Sequence, residues 1–218
     1  MIPFINIHTH KVVVGEFAIL NKSAHDSFSD TMYLSFGIHP WDIRRTDVEL
    51  HLSMLEDQCF QKKILAVGEI GIDKAIQTSF KIQQIVFENQ IKIAKDFNLP
   101  VIIHCVKAWG EIIYIRKAGK YINPWIFHGY NGNLQTARQI IKSGCYLSFG
   151  KDLIQNRKLQ DVFTQIPRDA IFLETDDSEI KIEEIYQKAI EIYNIPMDEL
   201  KNIIIQNFKN VFKHETLV

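Results

Sequence analysis

Disulfide chemistry is the first thing this sequence does without. Its three cysteines, Cys59, Cys105 and Cys145, are an odd number and form no CxxC pair. That excludes a disulfide-stapled mini-protein and predicts reduced thiols in a cytoplasmic protein. An excess of either charge is missing too: 25 Lys and Arg face 26 Asp and Glu, a net −1. No overall basic field exists to hold a nucleic acid by charge alone, so a phosphate substrate would need another cation, such as a metal ion. There is no long uncharged apolar run, and the opening MIPFINIHTHK is interrupted by His8, His10 and Lys11. Neither a signal peptide nor a membrane span is expected. Internal repeats, low-complexity tracts and Gly/Ser linkers are also absent, which makes a single domain over residues 1–218 the expectation.

What is present is an ordinary globular composition, 46% apolar and 23% charged, in a chain long enough to bury a large core. Short apolar runs alternate with longer amphipathic ones. Strand patterns fall at 4–8, 16–20, 32–38, 64–69, 100–104, 124–128, 145–149 and 170–174. Most are rich in Ile, Val, Phe or Tyr on both faces, as in parallel strands covered on both sides. Helical patterns fit 46–60, 79–97, 107–120, 133–142, 152–166, 180–193 and 197–213. In the second of these, Ile82, Ile85, Val86, Ile93 and Phe97 are expected to form the apolar stripe. Eight strands interleaved with helices predict an α/β fold, a (β/α)8 TIM barrel. Such a barrel usually takes ~250 residues, and the shortening is legible. Thr9 to Gly15 leaves no room for a crossover helix, and Asn21 to Thr31 is short and polar. The first βα units are therefore expected to be degenerate.

In a parallel barrel, chemistry collects at the C-terminal ends of strands. Of eight histidines, five (His8, His10, His39, His104 and His128) stand at or just past the end of an expected strand, as do Glu69 and Asp176. The His8-x-His10 spacing puts two imidazoles on one side of an extended strand, where neutral ring nitrogens can share a metal. Glu69 ends an apolar strand and must be exposed, paired or metal-bound; Gly68 and Gly71 beside it permit close backbone approach and a sharp exit turn. Asp73 suits an Asx turn. His104 and His128 end neighbouring strands in equivalent positions and read as a second imidazole pair. Asp176 follows two residues after Glu174, which is expected to bond inward; Asp177 and Ser178 are expected as helix caps. Four imidazoles and two carboxylates suffice for two metals if one carboxylate bridges them, and two-metal sites clamp the attacking and leaving oxygens of a hydrolytic displacement. Asp176 could also accept a proton from the activated water. No Ser-His-Asp or Cys-His nucleophile is convincing in the sequence; Cys105, beside His104, is expected to point to the opposite side of its strand.

These segments form a recognisable series. Asn6-Ile7-His8-Thr9-His10 resembles a DxHxH motif, Gly37-Ile38-His39-Pro40 a GIHP motif, and Gly68-Glu69-Ile70-Gly71-Ile72-Asp73 a GEIGLD motif. Leu99-Pro100-Val101-Ile102-Ile103-His104 resembles LPVIIH, His128-Gly129-Tyr130-Asn131-Gly132 is similar to HxFSG, and Leu173-Glu174-Thr175-Asp176 is LETD. Asn207 and Phe212 fit a closing NxxxxF. In this order the motifs resemble those of the TatD-related metal-dependent hydrolases, a branch of the amidohydrolase-like barrels, over Ile5 to Phe212. The resemblance implies a TIM barrel and metal-dependent hydrolysis, with nuclease action on DNA ends as the usual activity. It implies that His8, His10, Glu69 and Asp176 hold one divalent ion and Glu69, His104 and His128 a second, with Glu69 and Asp176 catalytic. His39 would lie near the substrate. The departures from the family pattern are Asn6 for its first Asp, Val106 where an Arg is expected with Lys107 next, Lys74 for an aromatic, and Ser178 for a Pro.

Two divalent metal ions are thus expected, Mg2+ or Mn2+ in function, while four imidazoles also suit Zn2+ or Fe2+. Nucleic acid is the expected substrate, with Lys107 meeting phosphate and Trp41, Trp109 and Tyr130 available to stack bases or to pack on the rim. No membrane and no obligate protein partner is implied. Two alternatives stay open: a two-metal hydrolase of a small-molecule amide, ester or lactone, favoured by the lost Arg, and a weakly active binding barrel.

Overall fold

The computed structural model describes residues 2–11, 17–23 and 33–213. Among these are eight strands: β1 (Ile5–Thr9), β2 (Phe17–Lys22), β3 (Tyr33–Phe36), β4 (Ala66–Asp73), β5 (Val101–Val106), β6 (Trp125–Phe127), β7 (Tyr146–Phe149) and β8 (Ile171–Leu173). The α-helices are α1 (Val48–Phe60), α2 (Phe80–Asp96), α3 (Trp109–Ala118), α4 (Leu134–Lys142), α5 (Asp152–Gln155), α6 (Arg157–Thr164), α7 (Ile182–Tyr193) and α8 (Met197–Phe212). The sheet order is the chain order, β1 through β8. The β1–β2, β3–β4, β4–β5, β5–β6 and β7–β8 pairs are parallel. Thr9 of β1 bridges in parallel to Asp176, just past β8. This is the connectivity of the expected (β/α)8 barrel. The segments 12–16 and 24–32, on which the expected degenerate first units fall, lie outside the described residues, as do the starts of the second and third expected strands. Among the described residues no helix is long and apolar enough to cross a membrane.

The chain divides into two compact units, Met1–Leu20 with His128–Val218, and Asn21–Phe127. Both bury strands that are apolar on two faces; Ile5, Ile7, Ile102, Ile103, Leu147 and Phe172 are fully inside. Helix starts follow local chemistry. Asp47, Ser79, Asn133 and Asn156 each accept a hydrogen bond from the backbone N–H three residues on, a contact worth about 1 kcal/mol. Asn156 also explains one departure: the helix expected over 152–166 is two, because Asn156 stands in extended backbone and starts α6 afresh. Asn207 of the closing motif donates to the carbonyls of Arg168 and Ile171, tying α8 to the start of β8.

A second departure concerns α2. Ile82 and Ile85 are 49% and 52% exposed, and the buried face is Gln83, Val86, Phe87, Gln90, Ile91 and Ala94. The helix is rotated from the position the apolar pattern predicts. Two of its three glutamines, Gln83 and Gln90, seven residues apart on the buried face, reach backbone of Asp73, Thr78 and Ile38.

Candidate metal centre

In the unit Asn21–Phe127 the centre is Glu69. It lies inside β4 rather than at its end, for β4 runs on to Asp73 and the expected exit turn at Gly71 does not occur. The glycine serves close approach instead: a Cβ there would lie 1.9 Å from the His104 carbonyl oxygen. The almost fully buried Glu69 has its Oε1 2.8 Å from His104 Nδ1 and 3.3 Å from His39 Nε2. One ligand atom each from His39, Glu69 and His104 falls within 4.8 Å of the others. A carboxylate oxygen held between two imidazoles is a donor set that suits a divalent transition metal.

The backbone around this cluster is gripped from α2. Gln90 Oε1 accepts from Ile38 N at 2.6 Å and its amide donates to Ile38 O at 3.2 Å, which fixes the residue before His39. Gln83 accepts from Asp73 N at 2.7 Å and donates to the carbonyls of Asp73 and Thr78. Asp73 makes the expected Asx turn with Ala75 N at 2.7 Å. Its other oxygen accepts from Trp41 Nε1 at 2.7 Å and lies 3.4 Å from His104 Nε2. Burial pushes the Asp73 carboxyl up, but hydrogen bonds from Trp41, Ala75 and His104 outweigh that and hold it below the usual carboxylate range.

In the other unit the centre is Asp176. Its Oδ1 lies 3.4 Å from Nε2 of His8 and 3.4 Å from Nε2 of His10, so both imidazoles of the HxH pair face one oxygen. The His8 ring is fully buried and packs 4.5 Å from that of His128. Asp176 sits at φ 53°, a left-handed position that an Asp tolerates better than most residues. Backbone exchange with β1 secures it there: Asp176 N donates to His8 O and His10 N to Asp176 O. Burial raises the Asp176 carboxyl, yet hydrogen bonds from His10 and His8 win and hold it far below the usual carboxylate range. His128 Nδ1 lies 3.2 Å from Glu174 Oε1, which also accepts from Gly129 N at 2.6 Å. Glu174 is fully buried, so the inward bond expected of it is made.

The structure thus brings His39, Glu69 and His104 together, and His8, His10 and Asp176 together, with His128 against His8. Asn6 and Thr175 form a reciprocal pair, Asn6 Nδ2 to Thr175 Oγ1 at 2.8 Å and Thr175 N to Asn6 Oδ1 at 3.1 Å. Thr175 Oγ1 then donates to Thr9 Oγ1, so Asn6 braces the residues between the ligand candidates. Lys107 follows β5 with an exposed side chain. Tyr130 needs correcting: it is 1% exposed and its hydroxyl donates to Asn133 O at 2.6 Å. A ring spent on bracing the β6–α4 loop is not presented to a substrate. Asp177 and Ser178 do not cap α7, whose N-cap is Lys181, with Glu184 reaching back to the Lys181 N–H. Sequence reading passed over Gln83 and Gln90, although two glutamines seven apart in an apolar helix were a visible cue.

Comparison with known proteins bears on the family and the fold. A family model described as TatD related DNase matches residues 5–213. The uncharacterized metal-dependent hydrolase YabD of Bacillus subtilis is 30% identical over 202 residues, covering 84% of this chain and 78% of that protein. A second relative, the uncharacterized metal-dependent hydrolase YjjV of Escherichia coli, is 26% identical over 198 residues, covering 83% of this chain and 76% of its own. The crystal structure of that TatD homologue superposes with a TM-score of 0.86 at 22% identity, covering 97% of this chain and 98% of its own, and it shares the barrel fold. The chain belongs to the TatD-related family of metal-dependent hydrolases.

Proposed function

We propose that this protein is a deoxyribonuclease that hydrolyses phosphodiester bonds at nucleic-acid ends with two divalent ions. The observation that carries the reading is Asp176, whose one oxygen faces two imidazoles at 3.4 Å each. The family description, TatD related DNase, supports the substrate class. In a (β/α)8 barrel, side chains from C-terminal strand ends share one rim. On that ground His8, His10, Glu69 and Asp176 are assigned to one ion and Glu69, His104 and His128 to the other, all within one domain. The bound ions would supply Lewis acidity and charge neutralisation for the phosphate. Asp176 would accept the proton of the attacking water, Glu69 would hold His104 and His39 in place, and His39 and Lys107 would meet the substrate.

The test is digestion of 5′-end-labelled single-stranded DNA, with and without Mg2+ or Mn2+, beside Asp176→Asn. Metal-dependent shortening is expected, reduced about 10²–10⁴-fold in the variant, the range of a positioned acid or base. DNA left intact by a protein that binds two metal equivalents overturns the nuclease reading. The missing Arg at Val106 then favours an amide, ester or lactone substrate, to be found with a substrate panel.

A further inference from the structure

Trp41 is anomalous. Of the three tryptophans, Trp125 is fully buried and Trp109 packs on Phe127 with ring centroids 5.7 Å apart, whereas Trp41 is 58% exposed. A large aromatic ring left in water needs an explanation that a scattered surface Leu does not. Yet Trp41 is not loose. Its Nε1 donates to Asp73 Oδ2 at 2.7 Å, and Asp73 is itself 2% exposed. Its backbone N–H donates to His39 Nδ1 at 3.2 Å. The indole therefore keeps one orientation at the edge of the His39–Glu69–His104 cluster.

Neither neighbouring imidazole stacks on it. His39 meets the indole at 5.1 Å and 83°, and His104 at 6.1 Å and 74°, both edge-to-face arrangements rather than stacks. The same short segment carries two exposed cations, Arg44 and Arg45, with the half-buried Asp42 between them and Trp41. Arg44 Nη1 donates to Gln77 Oε1 at 3.4 Å. An anchored, exposed aromatic ring in a segment that also carries exposed guanidinium groups is a combination that suits single-stranded nucleic acid, by stacking on a base and meeting the backbone charge.

We propose that Trp41 is a stacking platform for the nucleobase adjoining the phosphodiester handled at the Glu69 cluster, and that it sets a preference for single-stranded ends. The proposal rests on the nuclease reading and specifies how that substrate is gripped. Because the Asp73 bond already fixes the indole, stacking costs it little conformational freedom.

The test uses the whole 218-residue chain and a phosphorothioate-linked thymidine tetranucleotide, which resists cleavage; Kd is read from the anisotropy of a fluorescent label on the oligonucleotide, and the wild type is also followed by tryptophan fluorescence. A second oligonucleotide of equal length carries abasic sites in place of thymine. Quenching is expected with the thymine oligonucleotide and far less with the abasic one. Trp41→Leu is expected to raise Kd for the thymine oligonucleotide roughly 5- to 100-fold, the worth of one stacked base, and to leave the abasic Kd unchanged. Trp41→Phe keeps a π-face and is expected to recover most of the loss. Equal affinity of the wild type for both oligonucleotides overturns the stacking platform while leaving the nuclease reading intact, and needs no variant. Unchanged thymine binding by a folded Trp41→Leu protein does the same. A wild-type protein that binds neither oligonucleotide overturns the nuclease reading and this proposal with it.

Discussion

In the unit Asn21–Phe127, the residues around Glu69 are gripped by amide side chains of a helix, Gln83 and Gln90 of α2, which reach into backbone beside Asp73 and His39. In the unit formed by Met1–Leu20 and His128–Val218, the residues around Asp176 are held by strand-end backbone and by small hydroxyl and amide groups, Thr9, Asn6 and Thr175. Both schemes answer one problem. A histidine or carboxylate presented at a strand end leaves nearby N–H and C=O groups outside the sheet ladder, and these must find partners. The helical solution concentrates the burden on two residues that are fully inside. The strand-end solution spreads it over several weaker bonds. Substitutions are therefore expected to act differently in the two units.

The largest effect is expected at Gln90. Gln90→Leu keeps the volume and the burial but leaves both the N–H and the C=O of Ile38 without a partner. Unsatisfied buried polar groups cost about 1–3 kcal/mol each, so a loss of about 2–4 kcal/mol is expected in denaturant unfolding. Gln90→Glu can accept from Ile38 N but cannot donate to Ile38 O, and is expected to recover only part. A leucine variant as stable as the wild type would show that the helix does not bear this load.

These glutamines also mark the limit of what the sequence disclosed. The eight strands, most of the helices and the chain-order sheet were legible, because strands buried on both faces read as unbroken apolar runs. The ligand candidates were legible because five of the eight histidines and two acids cluster at the ends of the expected strands, where polar side chains have no place in a pure core. The partners of those residues were not. Asp73 read as a turn residue and also holds Trp41 and His104; Tyr130 read as a substrate contact and is a buried brace. The α2 stripe was misplaced for the same reason. Hydropathy ranks Gln83 and Gln90 as surface residues and Ile82 and Ile85 as core, while the loop backbone that reverses this order is set by tertiary structure. Periodicity sees the demand of apolar groups for burial but not the demand of buried backbone for partners.

A smaller effect, with a different readout, is expected at Glu174 in the other unit. Its Oε1 receives both His128 Nδ1 and Gly129 N, while its Oε2 has no hydrogen-bond partner among the described residues. A carboxylate behind a ligating imidazole fixes which ring nitrogen faces the metal and raises its basicity. Glu174→Gln keeps the shape and an acceptor for Gly129 but removes the charge. Metal affinity, measured by calorimetric titration, is expected to fall about 10- to 100-fold. The melting temperature of the metal-free protein is expected to hold or rise, because a buried charge short of partners is costly to keep. That pairing of weaker metal binding with an unweakened fold is the reverse of the Gln90 outcome. Loss of fold stability in Glu174→Gln would put the two units on the same footing and remove the contrast.

The smallest effect is a pH dependence confined to the unit Asn21–Phe127. Burial, reinforced by the nearby Glu56 charge, pushes the Cys59 thiol up to about 12. Its value in the unfolded chain is about 8.5. A group whose folded value is raised contributes stability that is complete below the unfolded value and is lost as pH rises, because only the unfolded chain can release the proton. Between about pH 8.5 and 12 that loss amounts to about 1.4 kcal/mol per pH unit for one thiol. Cys59→Ala removes the dependence at a fixed cost in packing, since Cys59 sits inside α1 and is almost fully buried. The variant is therefore expected to be less stable than the wild type at pH 7 and to lose less on going to pH 9.5, so that the gap narrows by about 1 kcal/mol. Ellman's reagent gives an independent reading at pH 8, where Cys59 is expected to react only once the chain is unfolded. A gap that stays constant from pH 7 to 9.5, with Cys59 reactive in the folded protein, would mean that α1 opens at this point, and that the helical side of the comparison is less firmly held than Gln83 and Gln90 imply.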